Sequence, residues 1–156
     1  MATRPRDGDA GPPNDASLAS IMIVTGAHPT AEVFDRPIAY ALREHIRDRL
    51  TDLAGDEPGP EQVLVLCDLW YLNQQDLRAL PTIAVGGPGV NALTASLAES
   101  LPSILAVEGR MIVQGHFEAP SPLVCCWGLD AATTAAAVES FRTRHLDAFL
   151  EAAFGA

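Results

Sequence analysis

Aromatic residues are scarce in this chain of 156 residues, at 6%, and long apolar runs are missing altogether. No stretch approaches the roughly 18 residues needed to cross a bilayer, so no membrane partner is expected. Basic residues are also few. Ten Lys and Arg stand against 20 Asp and Glu, a formal net charge of -10. Such a field repels a phosphate backbone, and no Lys/Arg stripe offsets it. Nucleic-acid binding is therefore not expected, and the acidic surface mainly favours solubility.

Cysteine is limited to Cys67, Cys125 and Cys126, all inside apolar runs. None has the C-x-x-C spacing of a zinc site, and the odd number argues against a disulfide framework. They read as small buried hydrophobes in a reduced cytoplasm. A vicinal bond between Cys125 and Cys126 would need unusual local geometry.

What is present suits a globular domain. The apolar content is 48%, ordinary for that class, and abundant alanine lets helices pack closely on a sheet. A chain of this length needs no disulfide or metal to hold its core. The opening "MATRPRDGDAGPPNDAS" is polar and rich in Pro, Gly and Asp, with no apolar h-region. Residues 1–17 read as a flexible tail, residues 18–156 as a single domain, and the expected location is cytoplasmic.

"SIMIVTG" (Ser20–Gly26) is a continuous apolar run closed by glycine, the pattern of a strand buried on both faces. A helix is predicted next, with Asp35 as cap, Pro37 in the first turn and an apolar stripe of Ile38, Leu42, Ile46, Leu50 and Leu53. "GDEPGP" (Gly55–Pro60) breaks the chain. "QVLVLCD" (Gln62–Asp68) is a second buried strand, "LWYLNQQDLRALP" a loop with one helical turn, and "TIAV" (Thr82–Val85) a third strand. "NALTASLAESL" supplies the next helix. "SILAVEGRMIVQGHF" reads as two strands joined at Glu108–Gly109, "PLVCCWG" (Pro122–Gly128) as a further strand, and a last long helix runs from about Ala131 to Phe154, capped by Asp130 or Thr133. The order implies a three-layer α/β domain with a mixed sheet, parallel in its first half and antiparallel in its second.

"TIAVGGPGVNALTASL" (Thr82–Leu97) raises the first functional question. Glycines before a helix can bring backbone N–H groups around an anion. Here no lysine follows, the spacing is not G-x-G-x-x-G, and Pro88 removes a donor. The structural alternative is that the glycines supply unusual φ while Asn91 caps the helix. "TGAHPTAE" raises the second question, with His28 and Glu32 four apart after the first strand.

Two partial resemblances attach to these stretches. "AHPTAE" resembles the strand-end "AHPDDE" element of LmbE-like zinc deacetylases, matching at His28, Pro29 and Glu32. Thr30 and Ala31 stand where that family has its paired acids, so the family's base and one metal ligand are missing and no zinc site is implied. "TIAVGGPGVNALTASL", with the later "PLVCCWGLDAATTAAAVESF", resembles the strand–GGPxxN–helix module of some S-layer and cell-wall-binding proteins. That resemblance implies a scaffold or assembly domain.

In a parallel sheet, ligands bind beyond the carboxyl ends of the strands. That would gather His28, Asp68, Gly86, Gly87, Gly89 and Asn91 at one edge. No nucleophile–base pair is recognisable among them, and no G-x-S-x-G elbow occurs. The expectation is a non-catalytic α/β assembly or interaction subunit that associates with itself or a protein partner and uses no cofactor. The alternative is an enzyme or binding protein that holds a small anionic ligand in the strand-end crevice.

Overall fold

The structure is a computed structural model, and it describes residues 20–55, 62–107, 110–118 and 121–155. The expected tail and the Glu108–Gly109 turn lie outside the described residues.

Six strands form one sheet in the order β2-β1-β3-β6-β5-β4. They are β1 (Ser20–Thr25), β2 (Gln62–Cys67), β3 (Thr82–Val85), β4 (Ser103–Val107), β5 (Met111–His116) and β6 (Leu123–Gly128). β2, β1, β3 and β6 run parallel, while β5 is antiparallel to both β6 and β4. The three-layer mixed α/β architecture expected from the sequence is therefore present. One detail was hidden from it: β6, which follows the β4–β5 hairpin, returns to pair with β3 and extends the parallel part.

Alternation along the central strands supplies both faces. Ile21, Ile23, Ile83, Val85, Val124 and Cys126 face one core, which also takes in Ala39, Leu42, Ile46 and Leu50 from α1 (Pro29–Ala54). Val138 and Phe141 of α4 (Ala131–Arg144) complete it with Phe149 and Leu150 of α5 (Leu146–Phe154). Met22, Val24, Ala84 and Cys125 face the opposite way, against Tyr71 of α2 (Asp68–Leu72) and Leu93 of α3 (Ala92–Leu97). Strands covered on both sides need continuous apolar runs, which is why β1 and β3 are buried at every position.

Two helices depart from expectation. α1 begins at Pro29, not after Asp35. His28 is its cap, its Nδ1 accepting from Thr30 N at 3.1 Å, and Pro29 takes the first helical position, where a missing N–H costs nothing. Pro37 then lies inside the helix. Its lost bond to the Val33 carbonyl falls on the solvent-exposed side, and the buried stripe on the other side holds the helix together. Leu53, expected on that stripe, is exposed. The last helix is two, broken at His145, whose φ of -129° and ψ of -10° leave the helical region. The apolar spacing runs straight through the break, with Phe141 and Phe149 meeting edge to face at 5.7 Å. The "LWYLNQQDLRALP" segment holds α2 and a 3-10 turn at Gln75–Ala79.

Candidate functional site

Because β1, β2, β3 and β6 are parallel, their carboxyl ends meet at one edge, with Thr25 level with Cys67 and Val85 level with Cys126. Asn91 locks this edge. Its Nδ2 donates to the carbonyls of Val24 and Val85, both at 3.0 Å, and its Oδ1 accepts from Leu93 N and Thr94 N at the start of α3. Asp68 completes the lock. It is 4% exposed. Its Oδ1 accepts from Ala27 N at 3.0 Å and Leu69 N at 2.7 Å, and its Oδ2 accepts from Ala92 N at 2.7 Å.

These bonds bear directly on the glycine loop. Val90 N and Asn91 N donate to the Gly87 carbonyl, and Ala92, Leu93 and Thr94 donate to Asp68 and Asn91. The amides from Val90 to Thr94 are thus engaged inside the protein, and the acidic side chain at the start of α3 is Asp68. Among Gly86, Gly87 and Gly89, the unusual φ belongs to Gly86 alone, at +110°. A Cβ there would lie 2.5 Å from Asp35 Oδ2, whereas one on Gly87 would make ordinary contact with Trp127 and one on Gly89 would meet open space. Gly26 permits the closest approach: a Cβ on it would fall 1.7 Å from the Val90 carbonyl oxygen. The β1 turn and the glycine loop thus pack backbone to backbone.

His28, Asp68, Gly89 and Asn91 do share one shallow depression of about 480 Å³ on the α2–α3 side of the loop. Gly87 faces the other side and Gly86 lies beneath it. Glu32 is drawn away from His28 toward Arg36, at 2.8 Å. Among the described residues no three His, Cys, Asp or Glu side chains gather as a metal site. The Cys125 thiol, pushed up to about 12 by burial, stays protonated at neutral pH, and burial raises Cys126 well above its ordinary value too. Neither is activated as a nucleophile.

On the α1–α4 side of the loop lies a crevice of about 270 Å³ whose key residue the sequence reading took for a helix cap. Asp35 sits in its wall, 5% exposed, and no hydrogen bond or ion pair reaches its side chain among the described residues. Burial pushes its carboxyl up to about 6. The signal was in the sequence: Ala31, Asp35, Ala39 and Leu42 fall at helical spacing on the buried face of α1, so an acid occupies a core position.

A third feature lies along the outer edge of β2, which has no neighbouring strand among the described residues. A groove of about 500 Å³ wraps this edge, lined by Met22, Leu64, Leu66, Trp70 and Leu77. Leu64 is 43% exposed and Trp70 64%. Charged residues lining it are Glu32 and Arg36, which neutralise each other.

A scan against protein-family models found no match, and a search of curated proteins found no relative.

Proposed function

We propose that the chain is a non-catalytic α/β subunit that associates with a second copy of itself through the outer edge of β2. The observation that carries this reading is an edge that, among the described residues, is unpaired, apolar and locally neutral, on a protein of net charge -10. Two copies repel over most of their surface, and the β2 edge is a place where they can approach without opposing like charge. Natural proteins usually blunt such an edge with charge, proline or a bulge. β2 carries none of these, and Leu64 and Trp70 extend its apolar character outward. Antiparallel pairing of β2 with its copy about a two-fold axis would continue the sheet across both subunits.

The protonated, buried thiols of Cys125 and Cys126 and the engagement of Asp68 by backbone amides fit the non-catalytic part. The resemblance of Thr82–Leu97 to an S-layer-type module points the same way. Among the described residues no helix is long and apolar enough to cross a membrane. The free thiols fit a reducing compartment such as the cytoplasm.

Sedimentation velocity tests the proposal. The wild type is expected to sediment as a dimer at tens of micromolar. Leu64→Lys and Trp70→Glu should each give a monomer that still folds, because Leu64 is 43% and Trp70 64% exposed. A wild-type monomer at that concentration, or dimers that survive both substitutions, would overturn it.

A further inference from the structure

The carboxyl edge of the sheet carries an imbalance that self-association through β2 does not use. On the α1 side of this edge, Thr25 Oγ1 is buried without a partner, on the face of β1 that carries Ile21 and Ile23. Asp35, 5% exposed at the crevice wall, has no hydrogen bond or ion pair to its side chain among the described residues. Buried polar groups are nearly always satisfied, and a carboxylate without a partner is among the costlier exceptions. An acid retained at a core position of α1, where alanine or leucine would suit the stripe, marks a place where a partner can arrive from outside the chain.

The crevice beside Asp35 defines that partner's chemistry. Phe34, Trp127 and Leu129 contribute apolar surface, and Thr30 and Thr134 also line it, the Thr134 hydroxyl accepting from Gly128 N at 3.1 Å. The ionisable groups lining it are Asp35 and Asp130; no Arg, Lys or His is among the lining residues. Asp130 is engaged as the cap of α4, accepting from Thr133 N at 2.8 Å, so Asp35 is the carboxylate left for a ligand. Gly86 keeps the backbone beside Asp35 Oδ2 free of side chain. A site with two acids, no base and two aromatic residues selects against anions and favours a positive charge carried on an apolar body.

We propose that this crevice binds a small organic cation, an ammonium or amidinium on a compact apolar group, with Asp35 as its counter-ion. The volume of about 270 Å³ limits the ligand to roughly the size of a single substituted ring. A metal ion alone is disfavoured, because Asp35 belongs to no cluster of three or more His, Cys, Asp or Glu side chains among the described residues, and Asp130 is engaged as the cap of α4. The ligand's charge is opposite to the one a glycine loop suggests, because an acidic side chain, Asp68, already stands at the start of α3.

Thermal melts and calorimetry with four probes test this: benzylamine and benzamidine as cations, and phenylacetate and inorganic phosphate as anions, with magnesium chloride as a metal control. Both cations are expected to raise the melting temperature by several degrees at millimolar concentration, while the anions leave it unchanged. Asp35→Asn should abolish the response. Phe34→Ala, at a residue 51% exposed, should weaken cation binding several-fold with the fold intact, and so tests the site independently of Asp35. No response to either cation, an equal response in Asp35→Asn, or a response to magnesium that Asp35→Asn removes while the amines do nothing would each overturn the proposal.

Discussion

Replacing Asp68 by alanine is expected to lower the unfolding free energy by about 4 kcal/mol, because one substitution removes three charge-assisted bonds and leaves their donors without an acceptor. The donors come from three separate places: Ala27 beyond β1, Leu69 in α2 and Ala92 at the start of α3. Among the described residues no other side chain bonds Ala27 N or Ala92 N. For a chain of this size the loss corresponds to a fall in melting temperature of roughly 10 °C. Asp68→Asn should recover part of it: the amide oxygen still accepts, but its NH2 group would face a backbone N–H. Urea unfolding monitored by circular dichroism measures both. A loss below about 1 kcal/mol for the alanine variant would show that the carboxyl edge is held by Asn91 and packing instead.

Asp35→Asn is expected to act in the opposite direction and raise stability at pH 7.5 by about 2 kcal/mol. Its carboxyl moves from 3.8 to about 6 on folding, through burial. An acid whose folded pKa lies above its unfolded one binds more protons folded than unfolded in the intervening window. Its contribution is therefore most favourable below 3.8, is lost as the pH rises toward about 6, and stays constant above that. The full shift is equivalent to about 3 kcal/mol, and the unbonded amide of the variant takes back some of the gain. Stability curves of wild type and Asp35→Asn should diverge between those two values and run parallel at higher pH. Parallel curves throughout, or a less stable variant at pH 7.5, would show that Asp35 is compensated in the folded protein.

These two acids also mark how far the sequence could be read. Strands buried on both faces announce themselves as short apolar runs, so β1, β2, β3 and β6 were legible, as was the Asp130 cap of α4, which forms a reciprocal pair with Thr133. Gathering of the strand ends followed from parallel order, and His28, Asp68, Gly89 and Asn91 do meet there. What these residues do there was not legible. The sequence suggests Asp68 as a strand end, where acids usually face solvent, whereas it opens α2, and its amide partners Ala27 and Ala92 become neighbours only in the folded sheet. Asp35 was hidden for a different reason: Pro37 two residues later made it look like a cap, while the true start of α1 was spelled by His28 and Pro29. The break at His145 carries no glycine or proline, and the apolar spacing continues across it. The exposure of the β2 edge depends on strand order, which depends in turn on where β6 returns.

Hydrogen exchange along β2 tests the proposed self-association most directly. The amides among Val63–Cys67 that point away from β1 face no neighbouring strand among the described residues. Measured at low and high protein concentration, their exchange should slow as the concentration rises, and Leu64→Lys should abolish the protection. Rapid exchange of these amides at every concentration, with the β1-facing amides protected as usual, would contradict pairing through this edge.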